Sequence, residues 1–434
     1  MRFACAHRRG EKLRIAIVGA GISGLTAAHL LHQSHEIVLY EAGSYAGGHT
    51  NTVTVETEHA THSVDTGFIV MNDRNYPSFT RLLQRLGVAT QPTNMSFSVK
   101  GEEEDFEYCG TPRGIFCQPR NLLSPSFQRM ILDLLRFNRS LRALLAQSLP
   151  DSPGEVADEE SLGQFLARGR YSRSFVERLI VPQVSAVWSA DPRRMNSFPV
   201  RFLAEFFANH GMLGFRDRPR WATVVGGSAR YVDALTAPFR ERIRLNSPVR
   251  SLKRQDSHVE LTARGSEPES YDQVILATHS DQALALLEDP SEQESEILGA
   301  IPYQHNEAVL HTDSSLLPRR QAARAAWNFH LLREPKPLST VTYYMNHLQR
   351  LDAELDYCVT LNRTEAIDPA KIIRRIDYAH PVYTPAGVVA QSRHANISGL
   401  RTRTHYCGAY WGWGFHEDGV RSALQACEPF GVRL

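Results

Sequence analysis

Arg14-Ile15-Ala16-Ile17-Val18-Gly19-Ala20-Gly21-Ile22-Ser23-Gly24 reads as a strand, a glycine turn and the start of a helix, and the next strand-like run, Glu36 to Tyr40, ends at the acid Glu41. The apolar residues after Arg14 suit a parallel strand covered on both faces. Gly19 permits the tight turn, Gly21 lets backbone approach a pyrophosphate, and Gly24 lets the helix pack closely on the strand. The helix N-terminus, with Ile22 and Ser23, then faces the negative phosphates. Glu41 stands about 20 residues on, where a carboxylate bonds both hydroxyls of an adenosine ribose and repels a 2'-phosphate. Together these features predict a dinucleotide-binding unit and argue against NADP.

Composition sets the outer bounds. A chain of 434 residues suits two interleaved domains rather than one core. Hydrophobic content of 42% and charged content of 22% are those of a soluble globular protein, and a net charge of +1 gives no argument for nucleic acid. The apolar runs fall short of the roughly 20 residues that span a bilayer, and the basic leader Met1 to Lys12 lacks the apolar core of a signal peptide. Six scattered cysteines, Cys5, Cys109, Cys117, Cys358, Cys407 and Cys427, offer no metal-ligand spacing and no disulfide framework. No metal and a cytoplasmic location are expected.

The residues after Glu41 decide between FAD and NAD. Ala42-Gly43-Ser44-Tyr45-Ala46-Gly47-Gly48-His49-Thr50 leads into alternating residues from Thr52 to Glu56 and then His62-Ser63-Val64-Asp65-Thr66-Gly67-Phe68. Near the C-terminus stand Tyr406-Cys407-Gly408 and Gly414-Phe415-His416-Glu417-Asp418-Gly419, the latter before a helical run from Val420 to Cys427. This pattern resembles the amine-oxidase-like branch of FAD-dependent oxidoreductases, which includes phytoene desaturases and polyenoic fatty acid isomerase. Asp65-Thr66-Gly67-Phe68-Ile69-Val70, Leu310-His311-Thr312-Asp313 and Tyr410 to Gly419 also resemble a bacterial family of NAD/FAD-binding proteins linked with modified fatty acid metabolism.

The resemblance implies an α/β fold: a Rossmann-like FAD-binding domain of the glutathione-reductase type, interleaved with an α+β substrate domain that carries a helical cap. The expected boundaries are 13–110, 215–295 and 395–434 for the FAD domain, 111–214 for the cap and 296–394 for the substrate sheet. It also implies cofactor contacts at Gly19, Gly21, Ile22, Ser23, Gly24, Glu41, Ala42, Gly47, Gly48, His49, Asp65, Thr66, Gly67 and Phe68. Further contacts are expected at Val249, Ala277, Thr278, Gly408, Glu417, Asp418, Gly419 and Val420. His49 stands where much of the branch has arginine. Cys407, in the small-residue position of the last turn, reads as a buried inert thiol rather than a flavin tether.

The rest of the chain is read by periodicity. Tyr76 to Gly87 reads as a helix closed by glycine, and Ala308 to His311, Thr340 to Met345 and Tyr357 to Leu361 as strands. Prolines and turn residues from Asp368 to Pro385 read as a connection back to the flavin segment. From Ser124 to Leu149, Phe127, Ile131, Leu134, Leu135, Leu141, Leu144 and Leu145 recur at helical spacing, with Arg129, Arg136, Arg139 and Arg142 between them. Such a helix packs on a core with a solvated basic face, or lies on an anionic membrane.

A flavin carries the redox chemistry, so the protein's task is placement, tuning and exclusion of water. The N-terminus of the last helix is expected to face the charge that reduction places on the ring. If the Trp-rich loop is extended, Trp411, Trp413 and Phe415 share one side. Phe415, Trp413 and His416 are therefore the candidate catalytic-site residues, with His311 a further candidate base. The activity expected is hydride removal from a hydrophobic, fatty-acyl-like small molecule, with O2 or another electron acceptor. Amine oxidation, double-bond isomerisation and a non-catalytic flavin-binding role are the alternatives.

Overall fold

The computed structural model describes residues 12–102, 105–147, 160–188, 191–214, 218–334 and 336–434. The leader through residue 11, with Cys5, residues 103–104 of an acidic turn and residues 148–159 of a Ser/Pro/acid loop lie outside the described residues. Strand β1 (Arg14–Val18) is buried from Ile15 onward, and helix α1 (Ile22–Leu31) is buried at nine of its ten positions before the chain returns as β2 (Glu36–Tyr40). Five parallel strands form the nucleotide sheet, in the order Ile243–Arg244, β2, β1, Gln273–Leu276 and Thr404–Tyr406.

Register puts Val18 beside Tyr40 and Leu276, and Leu276 beside Tyr406, so these strands end level. Gly19, Ala277 and Cys407 therefore emerge on one rim. There the Ala277 amide donates to the Val18 carbonyl at 2.8 Å and the Cys407 amide to the Leu276 carbonyl at 3.0 Å. Ligands of open α/β sheets bind at such carboxyl ends.

The hairpin of β3 (Thr52–Glu56) and β4 (Thr61–Asp65) follows, then α2 (Pro77–Leu86), capped by a left-handed Gly87 at φ 66°. A larger sheet orders Ile372–Pro381, Tyr303–His311, Cys358–Leu361, Val341–Tyr344, Trp327–Leu331, Phe97–Gly101 and Glu107–Cys109. Its first strand corrects the expected turn-rich connection: Ile372–Pro381 is a ten-residue edge strand whose Arg374, Arg375 and Asp377 face solvent and hide the alternation. The last two strands come from residues expected in the nucleotide unit.

The described residues between 120 and 209 are mostly helical. The long cap helix Pro125–Leu145 buries Phe127, Met130, Phe137 and Leu141, whereas Leu135, expected inside, is 46% exposed. Its one acid, Asp133, is fully buried and binds the Ser172 amide, Arg129 and Arg136, which turns the inward stripe away from the leucines. The final helix runs from His416 to Cys427, four residues earlier than expected. Among the described residues no helix is long and apolar enough to cross a membrane.

A chain of buried polar side chains crosses the larger sheet. Arg363 donates to His330 Nδ1 at 2.8 Å, and the Asp313 amide donates to His311 Nδ1 at 3.0 Å. Each ring therefore carries its proton on Nε2, which meets Thr342 Oγ1 at 2.8 Å or Thr360 Oγ1 at 2.7 Å; the two threonines are 2.7 Å apart. With both nitrogens engaged, His311 is a structural histidine and not a free base.

Burial pushes twelve imidazoles of the described residues below their ordinary value, among them His49, His210, His279, His311 and His405 to about 4, His380 to about 3, and His330 and His416 well down. The unfolded chain protonates them near pH 6.5, so their contribution is complete above that pH and is lost as pH falls toward about 4. Asp65 and Asp418, both raised to about 6 by burial, act oppositely between about 3.8 and 6 but are outnumbered. The urea midpoint should fall steeply between pH 7 and pH 5. A flat midpoint over that interval would contradict the buried neutral imidazoles.

Candidate functional site

The rim of the nucleotide sheet is built for close approach. Gly19 turns at φ +102°, and a Cβ there would lie 2.8 Å from the Ala277 carbonyl oxygen and 3.3 Å from Thr278 Cγ2. A Cβ on Gly24 would lie 1.9 Å from the Gly19 oxygen. Gly21 differs, because a Cβ there would meet nothing within 4 Å and the α1 N-terminus that it begins has no side-chain cap. Ile22 and Ser23 continue that open end. The Gly47 amide donates to the Ala20 carbonyl at 2.8 Å, and left-handed Gly48 comes so near that its Cβ would sit 3.1 Å from Gly21 Cα.

Glu41 bridges the two turns, accepting from the Ala20 amide at 2.8 Å and the Gly43 amide at 2.7 Å, with Ala42 exposed between them. Val249 packs in the cluster below Tyr40. An uncapped helix end, an open glycine and a carboxylate on the neighbouring strand end fit the diphosphate and ribose of FAD. His49 Nε2, buried without a partner, lies beside them. Among the described residues no group of histidine, cysteine and acids could hold a metal.

Asp65 is fully buried and saturated. Its carboxylate accepts from Thr52 Oγ1 at 2.5 Å, the Ser228 amide at 2.8 Å, Ser228 Oγ at 2.9 Å and Gln349 Nε2 at 2.9 Å. It ties the hairpin, the turn before the Ala229–Thr236 helix and the segment around Gln349 together. Each donor left unpaired by its removal would cost about 1–3 kcal/mol. Thr66 Oγ1 binds the Asn51 carbonyl at 2.8 Å, and a Cβ on Gly67 would collide with the His49 oxygen. Phe68 stacks on His416 at 3.6 Å between centroids.

The C-terminal residues divide the same way. Gly408 donates its amide to Ser422 Oγ, while Cys407 is wholly buried with its thiol pushed up. Glu417 accepts the Ser78 and Phe79 amides at 3.1 and 2.9 Å, capping α2 across the fold. Asp418 accepts the Trp413 and Phe415 amides at 3.0 and 3.1 Å, which folds the aromatic loop over the helix it begins. Gly419 touches α1, where its Cβ would be 2.7 Å from Ile22 Cγ2, and Val420 is core. His416 Nε2 lies 2.9 Å from both Thr50 Oγ1 and Tyr231 OH, so it is a buried linker.

Trp411 does not share a side with Trp413 and Phe415. Ala409–Trp411 forms a tight turn that sends Trp411 against His394, 4.4 Å between centroids. Phe415 stacks on Phe206 at 5.6 Å, and Trp413 approaches Phe202 and Phe206 while its carbonyl accepts from Trp188 Nε1 at 3.2 Å. An aromatic cluster thus forms between the cap and the start of the final helix. His210, missed in the sequence, stands in it, stacked on Phe206 at 3.9 Å and 5.8 Å from Phe415. Its Nδ1 meets the Phe206 carbonyl at 2.9 Å, leaving the Nε2 lone pair free. The signal available was His210-Gly211 after an apolar helix, a C-cap pattern.

Residues 22–321 match the family described as flavin containing amine oxidoreductase. Zeta-carotene desaturase, chloroplastic/chromoplastic, of Solanum lycopersicum is 28% identical over 207 residues, 44% of this chain. The match covers 34% of the desaturase, so the chain spans about a third of that relative's length. Among solved structures, cyclohexylamine oxidase from Brevibacterium oxydans IH-35A superposes with a TM-score of 0.70 at 17% identity, over 97% of this chain and 99% of that one. A CLA-producing fatty acid isomerase from P. acnes superposes with a TM-score of 0.66 at 15% identity, over 96% and 98%.

The glycines separate binding from folding. Gly21→Val should keep the melting midpoint of the apoprotein yet weaken FAD binding by at least about tenfold, roughly 1.4 kcal/mol, whereas Gly24→Val should lower the midpoint itself. Flavin fluorescence titration and thermal melts check both.

Proposed function

The chain belongs to the flavin containing amine oxidoreductase family, and from that membership we propose that it is an FAD-dependent dehydrogenase removing a hydride from an apolar, acyl-like substrate to leave a double bond. One observation carries this reading. The cluster packed between the cap and the final helix consists of Trp188, Phe202, Phe206, Trp413 and Phe415, with neutral His210 as its polar group.

FAD, when bound, supplies the hydride acceptor. The open α1 N-terminus and the glycine turns would hold its diphosphate, and Glu41 would serve its ribose. The start of the final helix, from His416 to Val420, would set its positive dipole end toward negative charge on the ring. Phe415 and Trp413 exclude water and align the substrate carbon. His210 Nε2, kept unprotonated by burial, accepts the proton lost from the adjacent carbon. The electron acceptor that follows is O2 or another small molecule.

The cap offers a route for such a substrate. Leu122, Leu123, Leu132, Leu135 and Phe116 are 46–85% exposed on it, among exposed Arg120, Arg129, Arg136, Arg139 and Arg142. Apolar side chains ringed by arginine suit the surface of an anionic bilayer, so residues 116–142 are the proposed peripheral contact.

Two experiments test these readings. Anaerobic mixing with acyl lipids should bleach the flavin spectrum, and His210→Gln should slow bleaching by about 10²–10⁴-fold. Bleaching by amines alone would replace the substrate assignment, and product without net bleaching would indicate isomerisation. Flotation with phosphatidylglycerol vesicles should drop for the Leu122→Ser/Leu123→Ser pair and for the Arg136→Gln/Arg139→Gln/Arg142→Gln triple. Unchanged flotation in both discards the membrane contact.

A further inference from the structure

Three imidazoles meet beside the glycine cradle. The His49 ring stacks on Tyr378 at 4.9 Å and lies 5.2 Å from the His380 ring and 6.3 Å from the His279 ring. His279 stacks on Tyr303 at 4.4 Å. Two of the three leave segments that touch the phosphate turn from opposite sides. His49 follows Gly48, which abuts Gly21, and His279 follows Ala277-Thr278, which abut Gly19. The His49 main chain is pinned, since its carbonyl accepts the Phe68 amide at 2.8 Å.

Of the ring nitrogens in the cluster, His49 Nε2 is the one that is buried without a partner. The Asn306 amide donates to His380 Nδ1 at 3.0 Å. One His49 nitrogen faces the Ala379 carbonyl, while Nε2 is buried with no partner. As an unprotonated acceptor, Nε2 has nothing to accept from; protonated, it becomes a donor on the residue that follows the glycine packed against Gly21.

The groups acting on His49 are His279 from the loop after Gln273–Leu276, His380 and Tyr378 from the edge strand, and His416 from the final helix. Tyr45, bonded to the Gly48 carbonyl, lies under the influence of Glu41 and Arg374, and His305, paired with Asp377, acts on His279. No carboxylate is among the groups that act directly on His49. The charge partner that would favour its imidazolium is therefore one the protein does not provide.

We infer that His49, seconded by His279, is a proton-taking clamp for the diphosphate of the bound dinucleotide, so that FAD binds together with a proton drawn from solvent. The inference rests on the FAD reading above and adds to it a pH-linked affinity. Burial holds both rings at about 4 without ligand, and an adjacent dianion raises them.

Calorimetric titration of the apoprotein with FAD and with ADP, in two buffers of different ionisation enthalpy between pH 5 and 9, reads out both affinity and proton uptake. Uptake should approach one proton near neutral pH. The dissociation constant should rise about tenfold per pH unit until the bound imidazolium itself deprotonates. His49→Gln should bind with the wild type's alkaline affinity at every pH, and His49→Arg should bind tightly without pH dependence. Wild-type affinity that is flat with pH and releases or takes up no proton overturns the clamp while leaving the FAD reading intact. A slope that survives in the His49→Gln/His279→Gln double variant also overturns it. Failure to bind FAD at any pH removes both readings.

Discussion

The contact between Ile22 and Gly419 is the constraint on which the site depends. It joins the first helix of the chain to the last, and it is close enough that a single added methyl group on Gly419 would strike Ile22 Cγ2. Because both residues sit in the first turns of their helices, two sets of unpaired amides converge on one rim. Neighbouring turns are then placed by the level ends of the parallel strands, where Gly19, Ala277 and Cys407 emerge together. A cofactor with negative charge at its middle and, after reduction, on its ring is matched by this pairing of helix ends.

Buried polar joints hold the surrounding layers in register with that rim. Asp65 binds donors from β3, from the turn at Ser228 and from Gln349, and Glu417 caps α2 from the other end of the chain. His311, Thr360, Thr342 and His330 form a proton-ordered ladder across four strands. Unsatisfied, each of these groups would be costly in a dry interior; satisfied, each specifies one arrangement of elements that hydrophobic packing alone leaves loosely defined. Several residues that resemblance assigns to the cofactor are thus also joints between the layers around that rim.

Local signals were readable where local chemistry decides the outcome. Glu36–Tyr40 and Thr52–Glu56 are strands with the bounds their patterns imply, and Gly87 caps α2 because only a left-handed residue closes it there. Tertiary partners hid the rest. His416 and Glu417 look like loop residues but are helical and buried, since Tyr231, Thr50 and α2 satisfy them. Burial of Asp133 rotates the long cap helix and leaves Leu132 and Leu135 outside. The edge strand Ile372–Pro381 shows charged residues where an inner strand would alternate, and Trp411 parts from Trp413 because a tight turn replaces the extended loop. His210 becomes a candidate only when the cap closes over Phe415.

The parallel pairing of Trp327–Leu331 with Phe97–Gly101 has a bearing on biosynthesis. More than two hundred residues separate these neighbours, and α1 waits still longer for the helix that covers it. On the ribosome, the Phe97–Gly101 edge therefore stays uncovered until Trp327–Leu331 emerges, and a face of α1 until the helix His416–Cys427 does. Long-range closure of this kind slows maturation and exposes sticky intermediates, so the nascent chain is a natural client for holding chaperones, and truncation of its final thirty or so residues would leave a species prone to aggregate rather than a smaller working domain.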